Sequence, residues 1–244
     1  MRISFVIPAY NEARYLGACL RAVLNEAEGK PYPVEVIVVN NASTDETRHI
    51  AASFPGVTVV DEPRKGLLWA RQAGHLASSG EVIANVDADA LVPPGWLDVV
   101  VQEFQQDPRL VALSGPVIHY DLPPFRRLLV RAFFWLSYPL YLVNRFVLRV
   151  GSIVQGGNFA VRRDALDAIG GYNLDLSFYG EDADIARRLH RVGHVKFTFR
   201  LTTSASARRL MAEGTLSMGW RYFLNYLWII FLKRPLTNDY IDVR

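Results

Sequence analysis

The chain reads as an α/β protein with a mostly parallel central sheet and helices on both faces. Three observations predict it. Residues 3–7, 34–39, 57–60 and 82–86 are short, β-branched-rich apolar runs bounded by Pro, Gly, Asn or Asp, as strands are. Residues 13–28, 45–53 and 67–78 lie between them and have helical length and composition. The strands are almost continuously apolar, which fits burial on both sides, and strand–helix alternation implies parallel crossover units.

The 244 residues suffice for one large domain, and half of them are apolar against 21% charged, which excludes wholesale disorder. A net charge of +3 is too small to point to nucleic acid. Cys19, the single cysteine, excludes an internal disulfide and a multi-cysteine zinc site and suits a reducing compartment. The opening run, residues 1–8, is short and ended by Pro8, a strand rather than a signal peptide, so the cytoplasm is the expected location.

The second half is less regular. Residues 94–106 read as a helix and 110–114 as a strand; residues 125–150 are aromatic and basic. The segment Gln155-Gly156-Gly157-Asn158 precedes an apolar run at 159–162 and a short helix at 164–169. A helix at 181–192, a strand at 195–199 and an apolar terminal helix at 216–233 complete the chain. We expect one catalytic domain over residues 1–215, with residues 124–150 as an amphipathic insertion, and an apolar helix and tail over 216–244.

Ligands of open parallel sheets bind at the carboxyl ends of the strands, so the residues just past each strand carry the functional reading. Pro8-Ala9-Tyr10-Asn11-Glu12 follows the first strand; a tyrosine there can stack on a base and a glutamate can bind a ribose hydroxyl. Asn40-Asn41-Ala42-Ser43-Thr44-Asp45 follows the second. Ser43 to Asp45 are explained as a helix cap, whereas two successive asparagines offer donors and acceptors to a nucleobase. Lys65, Gly66 and Arg71 follow the third and suit a diphosphate at a helix N-terminus, although a solvated basic face is the ordinary reading of such a stretch taken alone.

Asp87-Ala88-Asp89 ends the fourth strand and is the most informative triplet. Two carboxylates so close repel each other unless a cation lies nearby, and an oxygen site of this kind suits Mg²⁺ or Mn²⁺. Glu181-Asp182 opens a later helix after Gly180; such an acidic first turn stabilises the helix dipole, or aims a general base into a cleft.

In this order, from Ile3 to Gly193, the motifs resemble those of the family 2 glycosyltransferases, which have the GT-A nucleotide-diphospho-sugar transferase fold. The resemblance implies an inverting, metal-dependent transfer of a sugar from a nucleotide diphosphate, with UDP favoured. It places Pro8, Ala9, Tyr10, Glu12 and Asn41 on the nucleoside, Lys65 and Arg71 near the base or phosphates, and Asp87 and Ala88 on the ribose side. Asp89 then binds the metal, Gly156, Gly157, Asn158 and Glu181 lie by the donor sugar and acceptor, and Asp182 is the catalytic base.

The chain departs from the family in three places. Asn40-Asn41 stands where paired aspartates are common, which leaves guanosine and thymidine open beside uridine. No histidine falls in residues 202–209 to serve as a second metal ligand, and His190 and His194 read as surface residues. The Gln-x-x-Arg-Trp motif of processive synthases is missing, so one transfer per encounter is expected. A nucleotidyltransferase would carry a Gly-rich basic loop after the first strand, where this chain has Ala-Tyr-Asn-Glu; a non-catalytic sugar-nucleotide binder would not need Asp87, Asp89 and Asp182.

The acceptor is expected to be a carbohydrate or a lipid-linked molecule, met through peripheral contact with the cytoplasmic membrane face. Arginines 127, 131, 145 and 149 fall within about 40° of one another at roughly 100° per residue, beside Phe133, Phe134, Trp135 and Leu136. A basic stripe on an aromatic helix suits an interfacial position. The apolar run 222–232, at about 1.5 Å per residue, is too short to cross a core of about 30 Å.

Overall fold

The computed structural model describes residues 1–143, 153–176 and 179–214, and in the C-terminal stretch Trp220, Arg221, Leu224, Asn225, Trp228 and Leu236. The first half alternates as its sequence predicts: β1 (Ile3–Ala9), α1 (Leu16–Ala27), β2 (Val34–Asn41), α2 (Thr47–Ala52), β3 (Val57–Glu62), α3 (Leu67–Ala77) and β4 (Val82–Val86). Then follow α4 (Trp96–Gln106), β5 (Leu110–Ser114), β6 (Val117–His119), α5 (Pro124–Leu142), β7 (Asn158–Arg162), α6 (Arg163–Ala168) and α7 (Glu181–Leu189). The last described elements are β8 (His194–Phe197), a 3₁₀ turn at Phe199–Leu201, β9 (Thr203–Ala205) and α8 (Arg208–Glu213).

Seven strands form the main sheet in the order β3-β2-β1-β4-β7-β5-β8, and β6 pairs with β9 in a separate parallel pair. Strands β1 to β4 run parallel, while β7 lies antiparallel to both β4 and β5. The alternating residues of β1 enter two cores. Ile3, Phe5 and Ile7 join Leu16, Leu20 and Leu97 on one face, and Val6 joins Leu68, Phe159 and Leu189 on the other. Burial on both faces is why these strands carry no polar alternation.

Two helices start later than the sequence predicts. Asn11 takes a left-handed backbone (φ 50°) and its Oδ1 accepts from the Thr44 amide, so residues 11–15 form a loop tied to residues 43–47 rather than helix. Asp45 accepts from the amides of Ala13 and Thr47, which delays α2 to Thr47. Pro139 does not end α5, whose aromatic side chains pack on the end of the sheet: Phe134 stacks on Phe197 and Trp135 on Phe199. Arg145, Arg149 and most of the predicted helix at 216–233 lie outside the described residues.

Candidate active site

The carboxyl ends of β1, β2, β3 and β4 share one edge, and the antiparallel β7 brings a second chain segment to it. The register Val86↔Asn158 sets Gly157 directly beside Asp87, whose amide donates to the Gly157 carbonyl at 3.4 Å. A Cβ on Gly157 would collide with the Asp87 carboxylate, and one on Gly156 with the carboxylates of Asp182 and Glu181. The glycine pair therefore exists so that acidic side chains from two elements can close on one backbone segment.

Arg71 holds this cluster together from below. Its guanidinium is 1% exposed, pairs with Glu181, donates to the Gly156 carbonyl at 2.7 Å and lies 3.5 Å from Asp87. Asp182 is different: burial, and then the charge of Glu181 next to it, push its carboxyl well above the usual carboxylate range, against the pull of Arg71. Cys19 lies buried behind Asp87, and burial together with the charges of Asp89, Asp87 and Glu12 keeps it a thiol.

Among the residues expected to meet the nucleoside, Lys65 is exposed, sits 4.1 Å from the centre of the Tyr10 ring and donates to its hydroxyl at 2.9 Å. Pro8, Ala9 and Ala88 are buried in or beside the strand ends, so their side chains pack inside the protein.

Four side chains expected to face ligand are engaged within the protein. Arg71 is buried against Glu181, Asp87 and Gly156, so it orders the acidic cluster instead of standing open beside a diphosphate. Asn41 donates to the carbonyls of Glu62 (3.1 Å) and Arg64 (2.7 Å) and accepts from the Gly66 amide (2.8 Å), closing the β3–α3 loop rather than reading a base. Asn158 is fully buried; it accepts from Trp96 Nε1 at 3.0 Å and donates to the carbonyls of Gly115, Pro116 and Leu201. The carboxylate of Glu12 pairs with Arg208.

Arg208 is the residue that the sequence motifs leave out. Two hydrogen bonds between Leu91 and Ser204 (2.6 and 3.3 Å) fasten β9 to the chain just past Asp89. Asp121 then fixes the turn by accepting from Ser206 Oγ (2.7 Å) and the Ala207 amide (2.6 Å). Arg208 follows, bridging Glu12 and Asp89, the latter at 3.2 Å, over the ring of Tyr15. It stands in the 202–209 window, where no histidine occurs. Tyr179, just before α7, accepts from Arg221 of the C-terminal stretch at 3.1 Å.

Among the described residues no three His, Cys, Asp or Glu side chains gather as a self-contained metal site. Asp87, with 43% of its side chain exposed, and Asp89, with 12%, are hard oxygen donors just past β4, and Asp89 already pairs with the guanidinium of Arg208. This donor set fits Mg²⁺ or Mn²⁺ when a ligand and water supply the remaining oxygens.

The family model for glycosyl transferase family 2 matches residues 4–170. The chain belongs to that family. The chain is 23% identical over 193 residues to a glucosyl-dolichyl phosphate glucuronosyltransferase of Haloferax volcanii, covering 74% of the chain and 59% of the relative. It spans between 33% and 59% of the length of four curated relatives. The fold matches a mannosyltransferase of Pyrobaculum calidifontis solved with GDP-Man and Mn²⁺ (TM-score 0.66, 24% identity, 95% of this chain, 63% of that one). It also matches glucosyl-3-phosphoglycerate synthase of Mycobacterium tuberculosis solved with Mn²⁺, UDP-Glc and phosphoglyceric acid (TM-score 0.61, 20% identity, 93% and 79%). The GT-A architecture is thereby shown.

Proposed function

We propose that the chain is an inverting, divalent-cation-dependent transferase that moves a sugar from a nucleotide diphosphate to a hydroxyl or phosphate acceptor. One observation carries the reading. Residues 156–157 lie with Asp87 against one glycine and Asp182 against the other, so the end of β4 and the start of α7 flank one short stretch of backbone. A donor at the first and an acceptor at the second meet over that stretch.

Asp182 takes the acceptor proton; its raised pKa brings a carboxylate closer to the working range of a general base. Inversion is supported by the difference between the two neighbouring carboxylates. Glu181 is held by the guanidinium of Arg71, whereas a double displacement needs a second carboxylate turned toward the sugar. Asp89 would hold Mg²⁺ or Mn²⁺, which when bound offsets charge on the departing diphosphate. Asp87 faces the ribose, and Lys65 with Tyr10 borders the nucleoside.

Uridine is the base we propose. The two solved structures carry GDP-Man in one case and UDP-Glc in the other, so the base is the first variable to test. The experiment incubates purified protein with UDP-, GDP- and dTDP-sugars with and without chelator, and reads nucleotide release and product configuration. Metal-dependent release from the UDP donors, lost in Asp89→Ala, with an inverted product is expected. Chelator-resistant turnover, or a retained anomer, would overturn the reading.

The proposal includes the place of work, the cytoplasmic membrane face, and a lipid-linked acceptor. Phe125, Leu128, Leu129, Phe133, Trp135 and Leu136 of α5 are exposed, Leu136 to 81%. Arg126 and Arg131 are exposed beside them. The basic stripe is narrower than its sequence implies, because Arg127 turns back to the carbonyls of Tyr120 and Leu122. An apolar face of this size with flanking cations suits the headgroup boundary, and no described helix is long and apolar enough to cross a membrane. The Haloferax relative is named for a dolichyl phosphate substrate. Flotation with anionic vesicles, compared with a Leu128→Glu, Leu136→Glu double variant, tests this: recovery of both in the bottom fraction would remove the membrane from the reading.

A further inference from the structure

The acidic edge carries two guanidinium bridges of different character. Arg71 is sealed beneath Glu181 and Asp87; Arg208 spans Glu12 and Asp89 with 17% of its side chain exposed. Arg208 stands on a six-residue helix that follows β9 and the Asp121 turn, with Leu210 packed on Leu122 and Val130. Its contact at 3.2 Å occupies one of the oxygens of Asp89. A divalent ion on the Asp89 carboxylate would lie within a few ångströms of this guanidinium, and the repulsion between the two positive charges weakens the hold of each on Asp89.

We propose that Arg208 is a built-in counter-ion that holds the place of the divalent cation on Asp89 and gives it up when cation and nucleotide diphosphate bind. The inference rests on the reading of Asp89 as the metal ligand. In the free protein the guanidinium satisfies two carboxylates that would otherwise face each other across the edge, so the site stays assembled without its ion. When the carboxylate changes partner, the guanidinium remains beside the place where the diphosphate charge arrives, and it pairs with that charge instead. Metal alone therefore competes with Arg208, whereas metal with nucleotide recruits it. The free protein takes up the ion poorly, and the nucleotide brings it in.

The test is calorimetric titration of Mn²⁺ into wild type, Arg208→Gln and Asp89→Asn without nucleotide, and of UDP into the first two with saturating Mn²⁺. Arg208→Gln is expected to bind Mn²⁺ alone about tenfold more tightly and UDP with Mn²⁺ about tenfold more weakly, a coupling of ordinary size. Its melting temperature should also rise more on adding Mn²⁺ than that of wild type. If Arg208→Gln does not fold, Arg208→Lys is titrated instead. One nitrogen of Arg208 meets both carboxylates, and the ammonium of a lysine keeps that charge without the planar fork, so a smaller shift in the same directions is expected. Mn²⁺ affinity unchanged or weakened in the variant that folds, while Asp89→Asn abolishes binding, would make Arg208 a structural strut and overturn this inference alone. Undiminished Mn²⁺ binding in Asp89→Asn would overturn the metal reading and the inference with it.

Discussion

The buried guanidinium of Arg71 joins Glu181 at the start of α7 to the carbonyl of Gly156, 2.7 Å away, and so ties the acidic helix to the glycine step. Replacing it by Met would strand the Glu181 charge in the interior. We expect Arg71→Met to lose about 3–5 kcal/mol, read from urea unfolding, because breaking one side of a buried pair leaves the other uncompensated. An unchanged midpoint would mean that Glu181 has another partner.

Asp182→Asn should keep the fold and nucleotide affinity while turnover falls by about 10²–10⁴, the usual cost of losing a general base. Single-turnover kinetics and nucleotide titration separate the two. Normal turnover would leave Asp182 as part of the helix start.

The pH dependence has a definite sign. A base works ionised, and Asp182 is held well above the ordinary carboxylate range, first by burial and then by Glu181. Turnover should therefore fall with pH earlier than an ordinary carboxylate would dictate. Glu181→Gln removes the repelling charge and leaves that of Arg71, so the acid limb of the kcat profile should move to lower pH. A limb that stays or moves up would contradict this origin. On stability the same shift acts in reverse: its contribution is fully present below the unfolded pKa and is lost as pH rises through the folded one.

Gly156→Ala puts a methyl group into the carboxylates of Asp182 and Glu181 and the guanidinium of Arg71. Displacing the base by even a fraction of its reach should lower turnover by about 10²-fold with a fold intact by circular dichroism. Turnover within a factor of about two of wild type would show that the cluster yields without cost to the chemistry.

Asn158→Ala would leave Trp96 Nε1 without its acceptor and three carbonyls without the amide that now bonds them. With about 1–3 kcal/mol for each group left unsatisfied, we expect a loss of about 3 kcal/mol or more in stability. UDP affinity of the folded variant should be unchanged. A specific loss of donor affinity at full stability would return Asn158 to the sugar site.

Much of the parallel half of the sheet was legible because its strands are β-branched, apolar on both faces and cut by Pro, Asn and Asp. The orientation of β7 was not, since Phe159-Ala160-Val161 would read the same in either direction and only the return of the chain from α5 decides it. Three-residue strands such as β6 and β9 are too short to show a period. Asp87, Asp89 and Asp182 stood out because acidic side chains at a strand or helix end are read as ligand contacts, and the structure brings Asp87 and Asp182 against the same glycine pair. The same rule misled at Asn41 and Asn158, as a polar residue that clamps a loop and one that grips a ligand look alike in sequence. Nothing local marks Arg208, whose partner Glu12 is 196 positions away.

That separation has a consequence for the order in which the molecule comes together. Every strand of the main sheet is outside the ribosome once Phe197 has emerged, whereas the guanidinium that balances Glu12 and Asp89 follows eleven residues later. Domains fold as units during synthesis, and a sheet that closes at that point carries an unbalanced negative rim. In that interval any cation in the surroundings can serve as a temporary partner, and the arrival of residues 203–208 closes the window.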